Sequence, residues 1–156
     1  MVESAKLDDL DLRILRLLRD NGRMPLQELS DRVGLSPTPV GRRVRALESA
    51  GVIVGYAALI DEAALGYPVS VFVSVRLDRQ VDRALAEFEA AIQTFPEVVD
   101  CWLMTGNRDY LLRVATDGLA GFEAFLTSRL TRLACVSSIE SSIPIRRVKS
   151  AVSRQP

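Results

Sequence analysis

No histidine occurs among the 156 residues, and only two cysteines are present, Cys101 and Cys135. Without histidine the chain lacks the usual zinc ligands and the usual partner of a nucleophilic cysteine or serine, and two cysteines cannot build a disulfide framework. Most histidine-based catalysis is thereby excluded, and neither a metal nor a cofactor is expected. No apolar run approaches the roughly 18–20 residues needed to span a bilayer. The segment from Met1 to Asp11 is acidic where a secretory signal would be basic and then apolar, so a cytoplasmic protein without membrane contact is expected. Lysine is nearly missing too: Lys6 and Lys149 leave the other 18 of 20 basic residues as arginine. An excess of either charge is also absent, with 20 basic residues against 20 acidic ones. The balance holds locally, at nine against eight in residues 1–60 and eleven against twelve in residues 61–156. Total charge gives no reason to expect nucleic-acid binding, which must come from local patterning if it occurs.

What is present is globular: 48% of residues are hydrophobic and 26% charged, enough to bury a core in one ordinary domain or two small ones. From Leu7 the apolar positions Leu10, Ile14, Leu17 and Leu18 follow helical spacing, with Arg13, Arg16 and Arg19 on the wet side. Asn21-Gly22 stops that helix. Pro25 suits the first turn of a second helix, which turns Leu26, Leu29 and Val33 inward and ends at Gly34. Leu35 bridges a very short turn, Ser36 is placed to cap a third helix, and Pro37 fits its first turn. Val40, Val44 and Leu47 then form an inward stripe up to Gly51. The segments Val52 to Val54 and Tyr56 to Ile60 are expected to be extended, as a small wing or a linker strand.

Beyond Gly66 the period changes. Val69, Val71, Val73, Val75 and Leu77 alternate with Ser70, Phe72, Ser74 and Arg76, the pattern of a half-buried strand. Val81, Ala84, Leu85, Phe88, Ala91, Ile92 and Phe95 repeat at three and four, a helix closed by Pro96. Val98 to Met104 and Tyr110 to Thr116 are expected as a hairpin turning through Gly106 to Asp109. A further helix carries Leu119, Phe122, Leu126, Leu130 and Leu133, and a last strand carries Ile139, Ser141, Ile143 and Ile145. This order is βαββαβ, the split-βαβ ferredoxin-like arrangement with both helices on one side of a four-stranded antiparallel sheet. Its other face, with Phe72 and Trp102 or its neighbours, is too apolar to be plainly solvated, and a second copy of the chain is the simplest cover.

The helix, short Gly-Leu-Ser turn and helix over Leu26 to Ala50 have the spacing of a helix-turn-helix, which lays its second helix in the major groove. With Val40, Val44 and Leu47 inward, Thr38, Arg42, Arg45 and Ser49 fall on the opposite side. Thr38 and Arg42 then suit base contact and Arg45, further along, a phosphate. Arg43 sits at the flank of the buried stripe, where it either contacts DNA or braces the fold against an acidic group of helix one or two. The candidate DNA-binding set is Ser36, Thr38, Pro39, Arg42, Arg43 and Arg45. Cys101 and Cys135 are expected to be packing residues, and no catalytic constellation is found, so no enzyme is expected.

At these residues the chain resembles a known family. The runs Leu7-Asp8-Asp9-Leu10-Asp11, Asn21-Gly22-Arg23, Val33-Gly34-Leu35-Ser36-Pro37-Thr38-Pro39-Val40, Arg43-Val44-Arg45 and Gly51-Val52-Ile53 resemble the leucine-responsive and asparagine-responsive (Lrp/AsnC) transcription factors over nearly the whole chain. The resemblance implies an α+β protein, with an N-terminal winged helix-turn-helix joined to a C-terminal βαββαβ domain. That second domain is expected to sense an amino acid and to dimerise through its sheet, with homodimers assembling further to an octamer. It divides the chain into 1–53 (DNA binding), 54–66 (linker strand), 67–146 (effector binding and dimerisation) and 147–156 (basic tail). The run Thr105-Gly106-Asn107-Arg108-Asp109-Tyr110 is by itself a hairpin turn. By the resemblance, Gly106 and Asp109 match a Gly-x-x-Asp loop lining an effector pocket. Gly106, Asn107, Asp109 and Ser138 are therefore the candidate effector residues, with double-stranded DNA as the other partner. The alternative is a DNA-architectural protein that bends or wraps DNA without a small-molecule effector.

Overall fold

The first helix starts on a reciprocal cap. In the computed structural model, which describes residues 6–78 and 82–149, α1 covers Asp9–Asp20. The Asp11 backbone N–H donates to the Asp8 carboxylate at 2.8 Å, and the Asp8 N–H donates to the Asp11 carboxylate at 3.2 Å. Two otherwise orphaned donors are satisfied, and negative charge sits at the positive end of the helix. α2 covers Leu26–Val33 and α3 covers Pro37–Ser49. Ile14, Leu29, Val33, Val40 and Leu47 are buried at their junction, with Leu10, Leu17, Leu18 and Val44 packed around them. Pro25 lies one residue before the expected position, at the N-cap of α2. Leu26 is also not inward: it is 44% exposed and lies over Gly41 of α3, where an added Cβ would come within 3.3 Å of it.

No strand forms in 51–66, so the expected wing or linker strand is corrected to irregular chain. An extended segment becomes a strand only when its N–H and C=O groups find a ladder, and none is offered to this stretch among the described residues. Val54, Leu59 and Ile60 accordingly stay exposed. The described residues fall into two units, the first formed by those up to Leu59 together with Lys149 and the second covering Ile60–Val148. No helix among them is long and apolar enough to cross a membrane.

The second unit is the expected βαββαβ arrangement: β1 (Val69–Leu77), α4 (Asp82–Ile92), β2 (Val98–Leu103), β3 (Tyr110–Thr116), α5 (Leu119–Ser128) and β4 (Val136–Ser142). All strand pairs are antiparallel, in the order β2-β3-β1-β4. The alternation in β1 is fully expressed, because Val71, Val73, Val75 and Leu77 are buried against Phe88, Ile92, Phe122, Phe125 and Leu130. On the other face the register sets Phe72 beside Arg113 and Ser142, and Leu111 beside Trp102, which is 43% exposed. Part of that face is engaged from within the unit, where the Arg113 guanidinium makes two 2.9 Å bonds to the Glu62 carboxylate and one of 3.0 Å to Asp100.

Two boundaries differ from expectation. The last helix does not run to Leu133: α5 ends at Ser128, and a single 3-10 turn takes Leu130–Arg132. Thr127 and Ser128 hydroxyls donate back to the carbonyls of Glu123 and Ala124, a local competition that weakens the helical ladder. β4 stops at Ser142, leaving Ile143 and Ile145 exposed beyond it. Val81 and Arg154, expected in a helical stripe and in the basic tail, lie outside the described residues.

Candidate DNA interface and effector site

Gly34 closes α2 in the left-handed region at φ 82°, which a side chain would resist, and so permits a turn of only three residues before α3. Ser36 holds the N-cap position of α3, but its hydroxyl makes no cap bond. The N-cap oxygen normally takes the N–H of the second or third helical residue; Pro39 at the third has none, which leaves Thr38 as the one donor on offer, and the hydroxyl does not take it. The Ser36 hydroxyl thus stays exposed at the leading end of the helix, beside exposed Thr38. Arg42 and Arg45 follow on the same side, exposed and without an ion-pair partner among the described residues. Pro39 is half-buried.

Arg43 takes the bracing role of its two readings. Its guanidinium lies 2.8 Å from the Asp8 carboxylate and 2.7 Å from that of Asp11, tying α3 to the cap of α1. Both contacts are made by Nη1, so the fold occupies one nitrogen of a guanidinium that was also a candidate for DNA. The Asp11 backbone N–H, and behind it the Arg43 guanidinium, hold the Asp8 carboxyl below its ordinary value of 3.8, against the opposing effect of burial. A carboxyl depressed on folding adds stability above its unfolded value and loses it as pH falls through the folded one. The unfolding temperature of the wild type is therefore expected to fall more steeply than that of Asp8→Asn below about pH 4. Parallel curves for the two proteins would show that the cap carries no such linkage.

In the second unit the loop between β2 and β3 is closed by the Met104 N–H donating to the Asp109 carbonyl at 2.8 Å. Gly106 takes φ 102° within it, and Arg108 reaches across to an ion pair with Glu140 of β4. Asp109 immediately precedes β3. It is 4% exposed, and its carboxylate accepts the Leu77 N–H at 2.7 Å. That N–H lies at an irregularity in the β1–β4 ladder, where Arg76 pairs with Ser138 but Leu77 with Val136. Ser137 is the extra residue, and its hydroxyl donates to the Arg76 carbonyl at 3.1 Å. Asp109 and Ser137 thus take up the backbone groups that the bulge displaces.

Over this bulge lies an open depression of about 550 Å³ lined by Arg76, Leu77, Asp78, Asp109, Ser137 and Ser138. Of the expected effector residues it gathers Asp109 and Ser138, while Gly106 and Asn107 lie in the exposed loop outside the lining. Arg76 and Asp78 were not singled out from the sequence. The alternation of β1 puts Arg76 on the open face, but only the register with Ser138 reveals the shared site. Both cysteines pack against the sheet core. Burial pushes the Cys101 thiol up to about 11 and raises Cys135 as well, the behaviour of unreactive packing thiols.

Residues 70–153 match the family described as Lrp/AsnC ligand binding domain, and residues 7–54 match winged helix-turn-helix DNA-binding. The chain belongs to the Lrp/AsnC family. It is 47% identical to the Bkd operon transcriptional regulator of Pseudomonas aeruginosa over 92% of this chain and 94% of that one. It is 42% identical to the leucine-responsive regulatory protein of Rhizobium meliloti, over 97% of each chain. Among solved structures, a transcriptional regulator from Neisseria meningitidis in complex with L-Met superposes with a TM-score of 0.90 at 35% identity, covering 95% of this chain and 96% of that one. As a member of the Lrp/AsnC family the protein is a DNA-binding transcriptional regulator with a ligand-binding half, and not an enzyme.

Proposed function

We propose that this regulator is a cytoplasmic, sequence-specific DNA-binding homodimer, assembling further to an octamer, whose DNA binding or assembly responds to a free amino acid. The observation that carries the DNA half is the division of labour on α3. Arg43 is engaged by two carboxylates of the fold, while Ser36, Thr38, Arg42 and Arg45 face outward from the same helix. Ser36, Thr38 and Arg42, at the leading end, suit base edges, and Arg45 suits a phosphate. The effector half is supported by the depression over the β1–β4 bulge, lined by Asp109 and Ser138, and by the L-Met bound to the Neisseria relative.

Arg42 and Arg45 of α3 should respond unequally. Arg42→Ala is expected to lose about 1–3 kcal/mol of discrimination between cognate and scrambled duplexes. Arg45→Ala should weaken binding to both alike and reduce the slope of log affinity against log salt by about one. Fluorescence anisotropy on the two duplexes measures each quantity. Unchanged preference in Arg42→Ala removes it from base contact. Equal binding of both duplexes by the wild type, unaffected by any amino acid, would instead favour a DNA-architectural protein.

A further inference from the structure

We propose that the depression over the β1–β4 bulge holds the charged end of a free amino acid between Arg76 and Asp78, with Arg76 taking its α-carboxylate and Asp78 its α-ammonium. This rests on the amino-acid reading above and names the residues that would recognise the zwitterion. Of the six lining residues, two polar ones are already engaged by the bulge itself. The Asp109 carboxylate takes the Leu77 N–H, and the Ser137 hydroxyl binds the Arg76 carbonyl. Asp109 is also 4% exposed, so it supports the floor and presents little of itself to a ligand. Arg76, Asp78 and Ser138 are exposed.

Backbone geometry puts the two charges in usable places. Leu77 is turned into the core at 4% exposure, so its neighbours Arg76 and Asp78 project to the same side, about 7 Å apart along the strand. The Asp78 N–H donates to the Cys135 carbonyl at 2.9 Å, which holds the end of β1 against the start of β4. The register places Ser138 beside Arg76, adding a hydroxyl to the cationic end. Arg76 and Asp78 make no ion pair with each other or with another described residue.

A planar guanidinium binds a carboxylate through two parallel bonds, and a carboxylate binds an ammonium through a charge-assisted one. Opposite charges set either side of one gap match a molecule that carries its own opposite charges on neighbouring atoms. A simple anion or cation would satisfy one end and bring its charge against the other. The site therefore selects the α-amino-acid zwitterion as a class, and these residues leave its side chain unspecified. The depression of about 550 Å³ falls within the roughly 300–1,000 Å³ of small-ligand sites.

The test is calorimetry on the full chain with each of the twenty L-amino acids, followed by the α-amide and the desamino analogue of the tightest binder. The wild type should prefer the amino acid over its amide by at least tenfold. Arg76→Gln should bind the acid at least tenfold more weakly and treat acid and amide alike, with Arg76→Lys restoring part of the preference. Asp78→Asn should do the same against the desamino analogue. Because each comparison is made on one variant, a general loss of folded protein lowers both affinities without erasing their ratio. Wild-type preferences kept in both variants overturn the assignment and leave the amino-acid reading intact. Failure of every amino acid to bind the wild type overturns that reading and the assignment with it.

Discussion

Alanine at Asp109 is expected to lower the unfolding temperature of the ligand-binding unit by about 10 °C, before any ligand is added. Leu77 is 4% exposed and its N–H donates to the Asp109 carboxylate at 2.7 Å, at the place where the β1–β4 ladder slips. With the carboxylate gone that donor has no strand partner to fall back on, because the bulge has moved β4 out of register. A buried unsatisfied amide costs about 1–3 kcal/mol, and in a unit of this size each kcal/mol shifts the midpoint by about 4–8 °C. Asparagine keeps an oxygen toward Leu77 and should lose less, since only the charge-assisted part of the bond disappears. Differential scanning calorimetry on the wild type and both variants gives the ranking. An alanine variant melting with the wild type would mean that water serves Leu77 as well as the carboxylate does.

The pair of variants also separates two roles that the sequence merges. The Gly-x-x-Asp run resembles a ligand loop, and the resemblance assigns the carboxylate to a ligand ammonium. The geometry engages it with Leu77. Effector affinity that survives in Asp109→Asn would confine Asp109 to positioning the bulge, and a large loss of affinity with little loss of stability would return it to the ligand.

The elements legible in the sequence are those with a strong period and a local cause. The alternation of Val69 to Leu77 and the three-and-four spacing through Phe88 and Ile92 each fix which face is buried, and the observed burial follows them. Gly34 and the prolines of α3 mark the helix-turn-helix in the same local way. The features that escaped depend on distant partners. Nothing near Leu77 announces that a residue 32 positions later will accept its N–H, or that Ser137 will be extruded from β4 to meet Arg76. Arg43 shows the boundary between the two cases. Helical geometry places it at the flank of the buried stripe and leaves two fates open, and only the folded position of the Asp8 and Asp11 carboxylates reveals the bracing contacts. One handicap of the Ser36 cap was legible, since Pro39 lacks one of the two N–H groups that an N-cap oxygen can take. The expected wing depended on a pairing partner, which a period of apolar residues cannot supply.

Lysine in place of Phe72 is expected to convert the proposed homodimer to monomer at micromolar concentration. Phe72 is half-buried on the sheet face away from α4 and α5, on the central strand β1, with Arg113 opposite it on β3 and Ser142 on β4. Trp102 lies further across the same face at 43% exposure. If this face meets its own copy across a two-fold axis, the substitution enters the interface twice. An unpaired ammonium carried into an apolar contact costs several kcal/mol. The Arg113 guanidinium, already held by Glu62 and Asp100, adds a like charge and offers no partner. Two such sites at about 2 kcal/mol each would raise the dissociation constant by roughly a thousandfold. The monomer itself should keep its fold, because the buried side of β1 is untouched and residue 72 is already partly solvated. Sedimentation velocity across a concentration series, with calorimetric unfolding of the same sample, reads assembly and fold separately. A lysine variant that sediments as the wild type does would move the interface off this face, to the exposed apolar stretch through Val54, Leu59 and Ile60 as the next surface to alter.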